Sequence, residues 1–163
     1  MIAKARRCAY LALLTIESGD ANLPTTLATG RKTLNDERDQ KLLLDIVTGT
    51  VRWKRLIDHF IKHFSQRKLS KIDIEIKIIL RLSIYQLLYL DRVPAAAVVN
   101  DAVNLTRTVR KKSADAFVNG VLRALIRQRH DLPIPSRPTE KTSHTDAVSY
   151  LGITYSHPDW LVK

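Results

Sequence analysis

Apolar residues recur every three to four positions along most of this chain, the spacing that lays one face of a helix against a core. Residues 3–17 place Ala5, Cys8, Ala9, Ala12 and Ile16 on one side, which predicts an amphipathic helix. Residues 18–35, SGDANLPTTLATGRKTLN, are rich in glycine, proline and threonine and read as a loop. Asp36 is placed to cap a second helix whose apolar face carries Leu43, Ile46, Val47 and Val51. The pattern loosens around Gly49, predicting a bend, and resumes at Leu56, Ile57, Phe60, Ile61 and Phe64.

The stretch KIDIEIKIIL, residues 71–80, is ambiguous when taken alone. Its isoleucines alternate with charged residues, and β-branching favours a strand. The apolar run continues without a turn signal to residue 90, however, which is long for a strand and comfortable for a helix. Read helically, it is apolar on most sides and predicts a central, buried helix. Pro94 suits the first turn of the next helix, whose stripe is Val98, Val99, Ala102, Leu105 and Val109. Asn100, Asn104, Arg107 and Lys111 line another of its faces. Ser113 is expected to cap a last helix over residues 114–129, which buries Phe117, Val118, Val121, Leu122 and Leu125. The sum is an all-α helical bundle over residues 1–131. A mostly irregular, Pro- and Ser-bearing linker follows over 132–163.

Gly120 interrupts that last helix at a cost of about 1 kcal/mol relative to Ala. Ala116, Gly120 and Ala124 lie four apart beside the apolar stripe, so a close-packed neighbouring helix is the expected reason. Asn119 lies on the adjoining edge, where its amide would bond a partner helix or, as the alternative, a ligand.

Charge adds what the pattern does not. The 27 Lys and Arg outnumber the 16 Asp and Glu, giving a net charge of +11 and a pI near 10.0. Such an excess attracts polyanions, with nucleic acid the usual target and a solvated basic surface the bland alternative. No run of about 18 apolar residues suggests a membrane span. The start, MIAKARRCAYLALL, looks like a signal peptide until Tyr10 and Thr15 break it and no cleavage site follows, so it reads as a helix. The single cysteine, Cys8, allows no intramolecular disulfide, fits a reducing cytoplasm and is expected to be a core thiol. His59 and His63 stand i,i+4, a geometry metals accept, but only Asp58 lies near and on a different face; a polar helix edge is the better reading. Tyr10 and Trp53 are the weak candidates for stacking on bases.

Several segments, in this order and spacing, resemble the NusB-like family of all-helical RNA-binding domains. They are Tyr85-Gln86-Leu87-Leu88-Tyr89, Val93-Pro94, Val99-Asn100-Asp101-Ala102 and Phe117-Val118-Asn119-Gly120-Val121-Leu122. The likeness covers roughly residues 3–130. Ala96 falls where the free-standing antitermination factor of that family tends to carry a basic residue, and this chain runs on past the last helix of that factor. Ser156-His157-Pro158-Asp159-Trp160 is similar to the junction before the catalytic region in RsmB-type (Fmu/Sun) rRNA cytosine-5 methyltransferases. The resemblance implies the N-terminal domain of an enzyme that methylates cytosine in 16S rRNA. S-adenosylmethionine and the catalytic cysteine would then belong to a methyltransferase domain outside this chain, the chain's own partner, and no catalytic residue is assigned here. The alternative it implies is an antitermination module that binds RNA together with a ribosomal protein.

Phosphate binding needs cations gathered on one surface. Lys4, Arg6 and Arg7 form one cluster, largely off the stripe of the first helix, and the resemblance implies an RNA-contacting role for such a basic N-terminal segment. Arg107, Arg110, Lys111, Lys112, Arg123, Arg127 and Arg129 form a second, with Asp115 as the one acid among them; this one rests on charge density alone. A solvated face is the alternative for either cluster.

Overall fold

A computed structural model describes residues 2–139 and 141–162. Among them the helices run α1 (Lys4–Ser18), α2 (Leu23–Lys32), α3 (Glu37–Arg52), α4 (Lys54–Ser65), α5 (Ile74–Tyr89), α6 (Ala95–Thr108), α7 (Asp115–Arg127), α8 (His144–Thr154) and α9 (Asp159–Val162). Short 3₁₀ turns precede α5 and α7, and the described residues contain no β-strand.

The isoleucine-rich middle is the helix α5. Apolar on nearly every side, it can satisfy that pattern only by being surrounded, and it packs against α1, α3, α4, α6 and α7. Ile76, Ile78, Ile79, Leu80, Leu82 and Ile84 are buried along it. The other helices turn most of their predicted stripes inward, including Leu43, Ile46 and Val47 of α3, Phe60 and Ile61 of α4, and Val118 and Leu122 of α7, whereas Val51 near the end of α3 is exposed. Cys8 is half-buried against this core, with its Sγ 3.4 Å from Thr33 Oγ1.

Several expectations need correction. The presumed loop over 18–35 contains α2. Asn22 caps it by accepting from the Thr25 N–H at 3.0 Å, Pro24 occupies its first turn, and Thr26 is buried. The bend expected at Gly49 comes about one turn later, at Trp53 between α3 and α4. Gly49 instead seats the Tyr85 ring, which occupies the place a Cβ would take. Tyr85 stacks on Tyr89, and Tyr89 on Trp53, each at 5.3 Å between ring centroids.

Ser113 caps nothing. It lies inside the 3₁₀ turn, and α7 starts from Ala114 without a side-chain cap. Gly120, expected under a close-packed helix, is exposed, and an added Cβ would meet no atom within 4 Å.

The tail is more ordered than its composition promised. Residues 132–139 are irregular, and His59 Nε2 lies 2.7 Å from the Pro133 carbonyl oxygen, tying this stretch to α4. Ser143 then caps α8, which packs on α4. Arg55, in the first turn of α4, closes the contact. Its backbone N–H donates to Ser156 Oγ at 3.0 Å, and its guanidinium donates to the His157 carbonyl and to Asp159 Oδ1, both at 2.5 Å. The guanidinium lies over Gly152 in space that any larger side chain would contest. Beyond this clasp Trp160 is 77% exposed.

Candidate nucleic-acid interface

The geometry starts from one carboxylate. Asp101 on α6 is buried, which demands compensation for its charge. It accepts from Arg6 Nη1 at 2.6 Å and from the Ala3 backbone N–H at 3.2 Å, while Arg6 Nε donates to Gln86 Oε1 of α5 at 2.7 Å. Gln86 in turn donates to the Leu82 carbonyl. The first turn of α1 is therefore fixed to α5 and α6 together.

This corrects the expectation for Arg6. It is 7% exposed and serves inside the fold, so it does not stand on an outer face with Lys4 and Arg7, which are exposed. The apolar stripe of α1 continues through the Arg6 position because the guanidinium finds two buried polar partners there. Neither partner is local in sequence.

Of the second cluster, Arg110, Lys112, Arg123 and Arg127 are exposed, and none of these four has an ion-pair partner among the described residues. Arg110 holds a left-handed backbone conformation, φ 59°, in the turn that closes α6. Asp115 is not the only acid that answers the cluster. It pairs with Arg107 at 2.7 Å and accepts from the Thr106 hydroxyl, but Lys111 pairs with Asp73 at 2.8 Å and Arg129 with Asp91 at 3.2 Å. The hydrogen bond from Thr106, with that from Arg107, holds the Asp115 carboxyl below the usual carboxylate range.

One member of the first cluster, Arg6, reaches α6, the helix that carries Arg107 of the second. Asp101, which anchors α1, also lines a depression of about 660 Å³ between α6 and α7, together with Asn100, Asn104, Arg107, Ala116 and Asn119. A second depression of about 400 Å³ continues along the same seam past Asn100 to Arg123, Ile126 and Arg127. Asn119 Oδ1 accepts from Arg123 Nε at 2.9 Å. The polar stripe of Asn100 and Asn104 was visible in the sequence, as was Asn119. Their meeting across a seam was not, since it depends on how two helices cross.

The stacking candidates fare differently. Tyr10 is buried, and burial pushes its hydroxyl pKa up, with the nearby Glu75 carboxylate adding to the effect. Trp53 is half-buried in its aromatic stack, with the Arg52 guanidinium 5.6 Å from its ring centre. His59 and His63 do not converge: His59 faces Pro133 and the exposed His63 packs edge-on against Phe64.

Comparison with known proteins agrees with this architecture. A chain of the solved structure described as "Crystal Structure of a Plectonemic RNA Supercoil" superposes with a TM-score of 0.71 at 24% identity, over 78% of this chain and 95% of that one, a likeness of fold. The probable ribosomal RNA small subunit methyltransferase B of Bacillus subtilis is 34% identical over 97% of this chain and 34% of its own length. The transcription antitermination protein NusB of Oceanobacillus iheyensis is 29% identical over 76% of this chain and 96% of its own length. The chain thus spans about a third of the curated methyltransferase relatives it matches. No described helix is long and apolar enough to cross a membrane. Residues 3–127 match the NusB family, and the chain belongs to it.

Proposed function

We propose that this chain is an RNA-binding domain that presents small-subunit rRNA to an S-adenosylmethionine-dependent cytosine-C5 methyltransferase domain. The observation that carries the RNA-binding reading is the Arg6–Asp101 anchor. It fixes the first turn of α1, which carries the exposed cations Lys4 and Arg7, to α6, and the seam between α6 and α7 carries Arg123 and Arg127. Exposed cations held on a folded bundle release counterions from a phosphate backbone when they neutralise it.

The choice between the two family branches rests on the tail. The methyltransferase of Bacillus subtilis matches 97% of this chain, against 76% for the antitermination protein of Oceanobacillus iheyensis. A match over 97% of the chain takes in most of the region of α8 and α9, clasped by Arg55. The second reading, an antitermination module that binds RNA with a ribosomal protein, is favoured by matches to antitermination proteins along most of their own length. In the first reading the cofactor belongs to the other domain.

Filter binding or fluorescence anisotropy with small-subunit rRNA fragments, competed by bulk RNA, tests the proposal. Changing Lys4 and Arg7 to Ala is expected to weaken binding and to lower the salt slope by about 0.7–0.9 for each phosphate no longer neutralised. Unchanged affinity and slope would remove that cluster from the interface. Bulk RNA competing as well as rRNA would remove the targeting role.

A further inference from the structure

We propose that a hollow among α1, α3, α4 and α5 is a binding site for a small apolar monocarboxylate. Lys54 and Arg81 would hold the carboxylate, and apolar walls would enclose the body. The hollow shares no lining residue with the α6–α7 seam.

Its size suits a compact guest. The hollow measures about 240 Å³. A dry apolar cavity of about 150 Å³ takes up benzene, so this one has room for a single ring with a short arm. Leu13 and Ile16 of α1, Val51 of α3 and Ile78 of α5 form the apolar part of the lining. Leu13 and Ile78 are buried, whereas Val51 is exposed and marks the way in.

The polar part of the lining is Glu17, Thr50, Lys54 and Arg81. Arg81 is buried; its Nε and Nη2 donate to Asp58 at 2.7 and 2.9 Å, and its Nη1 lies 3.2 Å from Glu17. A guanidinium carries five N–H groups, so some remain free on its terminal nitrogens. Lys54 Nζ gives one N–H to Glu17 Oε2 at 2.7 Å and has two more to give. Glu17, by contrast, has both carboxylate oxygens engaged. The lining thus holds two cations, one anion and spare donors. A guest with acceptors and one negative charge matches it, whereas an ammonium would have to compete with Lys54 and Arg81 for Glu17.

Thr50 points the same way. Its buried hydroxyl has no hydrogen-bond partner among the described residues, which is uncommon for a buried polar group. A helical threonine has two accessible χ1 rotamers, and turning between them exchanges its hydroxyl and methyl positions. A carboxylate oxygen in the hollow could accept from that hydroxyl. Phosphate fits less well. A doubly charged, strongly hydrated ion would give up water against Leu13, Ile16 and Ile78 with the Glu17 carboxylate beside it.

Phenylacetate is the probe, with 2-phenylethanol as its neutral counterpart and phenethylamine as its cationic one. Acetate and inorganic phosphate supply the anion alone. Phenylacetate titrated into the isotope-labelled chain is expected to shift the amide resonances around Leu13, Glu17, Thr50, Lys54 and Arg81 saturably. The thermal midpoint should rise with its concentration. The alcohol and the amine should each bind about tenfold more weakly. Lys54→Met is expected to lower phenylacetate affinity about tenfold and to leave that of 2-phenylethanol unchanged. Thr50→Val keeps the shape and should weaken phenylacetate severalfold without lowering the thermal midpoint of the free chain, a split that a purely structural hydroxyl would not show. Val51→Trp puts a ring at the entrance and is expected to block binding.

No saturable shift at these residues would overturn the inference. So would equal binding of the amine, or equal competition by acetate or phosphate, which would reduce the effect to general attraction by a basic chain. Unchanged phenylacetate affinity in Lys54→Met, with circular dichroism preserved, would place the guest elsewhere. Displacement of phenylacetate by a short RNA oligomer would make the hollow part of a phosphate-binding surface instead.

Discussion

Arg6 and Asp101 illustrate how a buried ion pair acts on a fold. Two charges taken out of water gain little net stability from each other, but losing either partner strands the other. Arg6→Ala is therefore expected to cost about 3–5 kcal/mol in urea unfolding, a large share of a typical domain's total stability. Replacing the pair together, Arg6→Met with Asp101→Leu, should recover much of that loss. At this scale the sequence was only half legible. The helical period set position 6 off the stripe with its basic neighbours, and the partner that draws it inward lies 95 positions away and carries no local mark. The same limit explains Gly120 and Gly49. Both interrupt helical stripes, yet only Gly49 lies under a ring, because Tyr85 of another helix comes down on it.

Elements were more legible than their partners, and they failed for a definable reason. Helices α3, α5, α6 and α7 bury long stripes, and a long stripe repeats often enough to be read. The ten-residue α2 buries Thr26, with Leu23 and Leu27 partly covered against the core, so composition outvoted periodicity there. Its start was nevertheless written in the chain, as Asn22 followed by Pro24. The α8–α9 region was read as a linker because its own apolar pattern is weak. It is held instead by Arg55, whose partners Ser156, His157 and Asp159 sit roughly a hundred positions away. Arg55→Ala is expected to release this region. Hydrogen exchange at residues 144–158 should accelerate toward the rate of a loose terminus while α5 keeps its protection. Equal protection in both proteins would show that the α4–α8 packing alone suffices.

Across the whole molecule, one charge network joins three helices near the end of α1. Arg81, buried in α5, pairs with Asp58 of α4 at 2.7 Å and with Glu17 of α1 at 3.2 Å, and Lys54 reaches Glu17 at 2.7 Å. Burial raises the Glu17 pKa, but the Lys54 hydrogen bond and the Arg81 charge outweigh it and leave the carboxyl below the usual range. A folded pKa lower than the unfolded one, about 4.3 for Glu, gives stability that is present above that value. It is lost as pH falls through the depressed folded value. Thermal midpoints measured from pH 7 to pH 3 should therefore drop less steeply in the acid range for Glu17→Gln than for the unaltered chain. The bundle as a whole was legible, since a central helix apolar on all sides requires a ring of neighbours. The two tryptophans give this architecture a built-in pair of reporters. The Trp53 indole, half-buried at the end of a column of rings, emits from a partly shielded setting beside α4, while that of Trp160 lies in water. Any molecule that settles over α9 would shift the wavelength of one fluorophore and leave the other silent.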